Sequence, residues 1–251
     1  MRHIVKKLKE YKSKIELRDR FTYEFKLSDK IFSKKDIVFL NQSKNQYDRN
    51  VKLKWLLNEK YQTSSDSTNI DFWIINKWGG IWGFKPNEKN LKKIELFKKQ
   101  LIKGRLSKDS FSTISSLSKI SSFLNPNKFS IYDSRVIYTL NWLILTHENK
   151  DNLKQKYFPM PSGRNKIITD FDMKTIINIS HINEFTNQQE LYISDQMAYF
   201  EYCNFINKNV VEIFGNDAKP YELEMLLFIL FDTKIFQEIK KRTRIVLNER
   251  I

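Results

Sequence analysis

One cysteine, Cys203 in YFEYCNFI, rules out an intramolecular disulfide and any Cys-rich zinc site, which fits a reducing compartment and a small core hydrophobe. Histidine is equally scarce: His3, His147 and His181 lie far apart, and no HExxH or Cys/His cluster occurs, so no catalytic metal is expected. With six glycines and neither a GxxxxGK[ST] nor a GxGxxG run, no phosphate-cradling nucleotide loop is present, and no cofactor is expected. No stretch approaches the roughly 20 consecutive apolar residues of a membrane span, and MRHIVKKLKEYKSK lacks the apolar region of a secretory signal. The expected place is therefore the cytoplasm, off the membrane. Internal repeats, heptad seams and strand-helix alternation are missing too, which argues against solenoids, coiled coils and parallel sheets.

Acidic residues are short as well. The 29 Asp and Glu face 44 Lys and Arg, a net charge of +15, and such an excess concentrates polyanions around a protein. Nucleic acid is the partner this implies, and a nucleoid-associated location follows; a genome biased toward Ile, Lys and Asn codons is the bland source of the same lysines. What is abundant is core material: 41% hydrophobic and 14% aromatic residues over 251 suit one large domain, or two lobes around a shared cleft.

Along the chain, FTYEFKL (21–27) alternates Phe21, Tyr23, Phe25 and Leu27 with polar neighbours, the period-2 signature of a half-buried strand. Residues 1–68 therefore read as an N-terminal region with some β-structure, closing on the polar loop QTSSDSTN, and residues 69–251 as a helical domain. NIDFWIINKWGGIWGF predicts a short apolar helix stopped by Gly79 and Gly80, and Pro86 with Asn87 starts another that runs to Gly104. YFPMPSGRNK (157–166) reads as a surface loop, and long helices are expected near 190–213 and 220–240. The last begins KPYELEMLLFILF, with Pro220 in its first turn, Glu222 and Glu224 complementing its N-terminus, and the centre of the core behind them.

Two constellations carry chemistry. Glu24-Phe25-Lys26 has the Glu-x-Lys spacing of restriction-type nucleases, but Asp19 lies too close upstream to supply the second metal-binding acid, so a metal-dependent nuclease is the weaker reading. SSLSKISSFLNPNKFSIYDSRV (115–136) is the other. It sets Lys119 among serines on a predicted helix, breaks at Asn125 and Pro126, and places Asp133 where it can cap the next helix. The two can face one cleft, where burial makes a lysine a nucleophile. The plain alternative is a solvated lysine and an aspartate that only caps.

The run SKISSFLNPNKFSIYDSRV resembles the core of the 8-oxoguanine DNA glycosylase branch of the helix-hairpin-helix glycosylases, in particular its compact prokaryotic members, over about residues 110–145. Lys119 and Asp133 match the superfamily's lysine and aspartate; the glycine-rich turn that usually precedes the lysine is replaced by STISSLSK. The resemblance implies a mainly α, two-lobed helical fold with a small β-containing N-terminal region. It implies a DNA glycosylase, with or without lyase action, that removes a damaged or modified base from double-stranded DNA, in repair or against modified foreign DNA, as a monomer. Lys119 is then the nucleophile and Asp133 the carboxylate that stabilises charge on the sugar. Trp78, Trp82 and Phe84 become candidates to wedge or stack against bases. Arg135, Arg164, Lys166, Ser115 and Ser118 become the candidate DNA contacts. A non-catalytic DNA-binding module, with Lys119 on a phosphate, is the competing class.

Overall fold

The structure, a computed structural model, describes residues 2–64, 67–147, 156–162, 165–182 and 188–242. Helix α1 (Arg2–Lys12) carries Ile4, Val5, Leu8 and Tyr11 at helical spacing and buries all four. A single turn, α2 (Leu17–Arg20), follows. Helix α3 (Lys34–Asn41) opens on a capping box in which Ser33 Oγ accepts the Asp36 N–H and Asp36 accepts the Ser33 N–H. Asn45 caps the longer α4 (Gln46–Thr63) by accepting the Asp48 N–H.

Residues 21–28, between α2 and α3, are extended but pair with no strand, so the expected N-terminal β-structure is absent from the described residues. Their alternation is nevertheless real at the level of burial: Phe21 and Phe25 are buried while Thr22, Glu24 and Lys26 face solvent. Period-2 patterning reports which side of an extended chain meets a core, and here helices supply that core. Asn50 Nδ2 on α4 donates to the Tyr23 carbonyl at 2.8 Å, Phe25 sets its edge against Trp73, and Phe21 packs 6.4 Å from Phe228.

Helix α5 (Thr68–Trp73) runs into a π-turn at Ile74–Trp78 and stops at the expected glycines, with Gly80 at φ +66°. Asn87 caps α6 (Glu88–Lys103), which ends at Gly104 in the left-handed conformation, φ +69°. Ser107 caps the short α7 (Lys108–Ser112), and after a break at Thr113 the helix predicted around Lys119 follows as α8 (Ile114–Leu124). After the turn at Asn125 and Pro126 comes α9 (Ser134–His147). The chain continues through α10 (Lys166–Asp170), α11 (Met173–Ser180), α12 (Asp195–Phe214) and α13 (Pro220–Leu230), then a π-turn at Phe231–Ile235 and α14 (Phe236–Arg242). Pro220 sits in the first turn of α13, where Glu222 accepts the Lys219 N–H.

The fold is mainly helical; a lone bridge between Tyr157 and Tyr192 is the β-pairing found among the described residues. That bridge, with Tyr157 and Phe158 buried, shows that the loop read at 157–166 begins inside the protein rather than on its surface. No described helix is long and apolar enough to cross a membrane.

Two hydrophobic clusters form. The larger joins α1, α9, α12 and α13; the smaller gathers Phe25, Phe32, Leu40, Leu53, Leu57, Trp73 and Trp78 around α4 and α5. Helix α8 serves both, with Leu117 and Ile120 in the larger and Phe123 in the smaller. The segment before α9 does the same, Tyr132 facing one cluster and Ile131 the other. Lys119 and Asp133 therefore sit where the two cores meet.

Candidate active site

Serine spacing on α8 admits close neighbours rather than a substrate. Ser118 is fully buried and its Oγ accepts the Tyr132 N–H at 2.9 Å, so it ties α8 to the segment leading into α9 and cannot reach a phosphate as proposed from sequence. Ser121 Oγ lies 2.6 Å from the Tyr199 hydroxyl, and Ser122 Oγ donates to the Lys119 carbonyl at 2.8 Å. These three α8 hydroxyls thus find partners, as burial requires.

Lys119 is 7% exposed, and its Nζ donates to the Ser115 carbonyl one turn back at 2.7 Å. Its stem lies against Gly79. A Cβ built on Gly79 would sit 2.6 Å from Lys119 Cδ and 2.8 Å from the Ile75 carbonyl oxygen. Gly79 has ordinary helical angles, φ −81° and ψ −8°, so the glycine is needed for room rather than conformation. Gly79→Ala should therefore displace both the lysine stem and the π-turn backbone at Ile75, lowering the melting temperature and the rate of any chemistry at Nζ, the latter on the order of tenfold or more.

Asp133 caps α9. Its Oδ1 accepts the Arg135 N–H at 2.9 Å while its carbonyl accepts the first helical bond, from Ile137. The Arg135 guanidinium lies over the Phe228 ring at 3.6 Å, with Nε 3.5 Å from Asp133 and Nη1 3.7 Å from Asp232. Lys119, Asp133 and Arg135 line one pocket of about 80 Å³, walled by Tyr23, Trp78, Ile131, Glu224 and Phe228. The Tyr23 hydroxyl donates to the Trp78 carbonyl, which fixes that wall.

Burial depresses the Lys119 amine below the ordinary lysine value, with Asp133 and Glu224 opposing the shift and Arg135 adding to it. Behind it stand two charged residues that sequence reasoning missed. Lys54, 1% exposed on α4, donates to Ser122 Oγ at 3.1 Å, lies 4.6 Å from the Phe123 ring, and is also pushed down by burial. Glu224 was expected to complement the α13 N-terminus; it is instead 6% exposed, its Oε2 accepts the Ile131 N–H at 2.8 Å, and burial raises its pKa against the pull of Lys54. A glutamate between Leu223 and the apolar run MLLFILF was the signal available for it; one lysine among many gave none for Lys54.

An amine nucleophile reacts in its neutral form, so its rate climbs as pH passes its pKa from below. Glu224 holds the Lys119 pKa up, which predicts that Glu224→Gln moves the rising limb of a pH-rate profile to lower pH. Glutamine still offers an oxygen to the Ile131 N–H, so the measurement separates charge from packing.

The other sequence candidates scatter. Trp78 is buried, its Nε1 donating to Asn50 Oδ1 at 3.0 Å and its ring meeting Phe123 edge-on at 4.8 Å, so it walls the pocket and cannot swing out as a wedge. Phe84 is buried against Phe72 and fills the core. Trp82 alone of the three is exposed, at 58%, with Lys77 over its ring at 4.4 Å. Ser115 is partly exposed and donates to the Ser162 carbonyl at 3.4 Å, and Lys166 is exposed at the start of α10. Arg164 lies outside the described residues. Glu24 and Lys26 are solvated on the extended segment. Compared with known proteins, the chain matches no family model, no curated protein and no solved structure.

Proposed function

We propose that this protein is a two-lobed helical DNA glycosylase that excises a damaged or modified base flipped out of the duplex, with strand cleavage available through the same lysine. The observation that carries the reading is the shared pocket: an amine held at 7% exposure and a helix-capping carboxylate meet there from two different helices. The neutral Lys119 Nζ attacks the sugar C1′, the C1′–N bond breaks, and the base leaves with the bond pair and takes up a proton. Loss of the second proton from nitrogen and opening of the sugar ring give an imine, from which the 3′ phosphate can be eliminated. Asp133 lies where it can stabilise positive charge growing on the sugar, and the Arg135 N–H orients it. The low dielectric around buried side chains strengthens that interaction. Arg135, Ser115 and Lys166 as phosphate contacts and the exposed Trp82 as a base contact belong to this reading.

A lysine that served only to hold a phosphate belongs on the surface, so the depth of Lys119 weighs against a non-catalytic binding module. Incubation with duplexes carrying a panel of modified bases, in EDTA, with released bases identified by mass spectrometry, tests the proposal. Free base without metal is the expected result. Binding without release would favour the module, and strand cleavage that needs magnesium and frees no base would favour a nuclease.

A further inference from the structure

On the other side of Phe21 from Lys119 lies a second concavity of about 600 Å³, and Phe21 forms part of the wall of both. Arg18, Lys44 and Arg49 line it and outnumber the lining carboxylate, Asp19, three to one. Ion pairs neutralise other cations of this protein, Lys60 by Asp36 and Lys98 by Asp71 for example. Among the described residues none joins Arg18, Lys44 or Arg49.

Arg49 is built into the wall rather than waving from it. Its guanidinium lies over the Phe25 ring at 4.6 Å and its Nη2 donates to Asn41 Oδ1 at 3.3 Å, yet its Nε is buried with no hydrogen-bond partner. Gln46 Oε1, one turn earlier on α4 and lining the same cavity, is also buried and unpartnered. Those two atoms are covered, and covered unpartnered atoms also occur at Trp73, Asn76, Ser130 and Thr139, so the cavity's call for a ligand rests on its three cations without ion pairs and on the outer guanidinium nitrogens. The donors call for an oxyanion, which guanidinium groups grip with paired N–H bonds. The amides of Gln46 and Asn41 suit the donor and acceptor edges of a base or sugar.

We propose that this cavity binds a nucleotide through its phosphate, held by Arg49 with Arg18 and Lys44. The inference stands on the cavity's own geometry and does not need the chemistry assigned to Lys119. The phosphate can belong to a free mononucleotide or to one link of a DNA strand, and the wall shared with the lysine pocket favours the strand.

The test compares thymidine monophosphate with a short fluorescent oligothymidylate, binding the full chain at low salt. Arg18 and Lys44 are exposed, so the double variant Arg18→Gln/Lys44→Gln keeps the fold, and it should lose affinity on the order of tenfold or more. A control that removes the same charge from α14, Lys240→Gln/Lys241→Gln, should lose less than about twofold. Arg49→Lys, which keeps charge but not the planar fork, should also weaken binding. Comparable affinity for both ligands identifies a mononucleotide site; binding of the oligomer alone identifies a strand site. Equal losses in the pocket and control variants, or no binding of either ligand by wild type, overturn the inference. Lys119→Met should leave this binding intact, so its failure and that of the glycosylase reading are separable.

Discussion

Lys119→Met should abolish a borohydride-trapped adduct that wild type forms with a duplex carrying an excisable base. An amine that attacks C1′ passes through an imine, and borohydride reduces an imine to a permanent protein-DNA bond; a lysine on a phosphate gives none. The substitution suits its surroundings. The amine is desolvated, its one hydrogen bond goes to a carbonyl already in the α8 ladder, and it has no ion pair among the described residues. Methionine keeps the length of the stem against Gly79 and the helix propensity of α8. Removing a buried amine relieves its desolvation, and Glu224 and Asp133 keep Lys54 and Arg135 as neighbours, so the melting temperature should stay close to that of wild type. DNA affinity should fall little, because a side chain at this depth adds little to a net charge of +15. An adduct that persisted in Lys119→Met would move the nucleophile elsewhere. Base release without any adduct in wild type would make water the attacking group, with Asp133 activating it.

The lysine and the aspartate were legible because local rules place both. Apolar positions fix the phase of α8, Asn125 and Pro126 end it, and Asp133 has the side chain that a helix start takes. The glycine at position 79 was legible as a stop but not as a partner of Lys119, since its role is a close approach across sequence rather than a φ angle. The strand at 21–27 misread a true alternation: the pattern specifies one buried side, and only a neighbouring strand, which no local rule supplies, turns it into a sheet. Lys54 and Glu224 escaped for a related reason. Their burial follows from α4 and α13 both converging on α8 and the segment before α9, a tertiary event that leaves no spacing signature. The aromatic candidates in WGGIWGF separate by a factor sequence cannot weigh, which is that the π-turn carries Trp78 inward and releases Trp82 to solvent.

Asp133→Asn divides the two duties of that residue, and this gives it diagnostic force. As a cap, Asp133 supplies one oxygen to the Arg135 N–H, and asparagine supplies an equivalent oxygen at the same reach, so α9 should keep its start and unfolding should change by only a few tenths of a kcal/mol. As a catalytic carboxylate it supplies a charge that asparagine lacks. The amide cannot stabilise a cationic sugar or accept a proton, and the rate of base release should drop about a hundredfold to ten-thousandfold. A second consequence goes through the lysine. The Asp133 charge opposes the burial that depresses the Lys119 amine, so its removal makes the amine neutral at lower pH. The residual activity of Asp133→Asn should then rise at a lower pH than that of wild type. Single-turnover rates across pH, with denaturant unfolding alongside, read both effects. Asp133→Asn turning over at the wild-type rate would leave Asp133 as a cap alone. A slow variant whose pH profile had not moved would mean that Asp133 acts on the substrate without setting the state of Lys119.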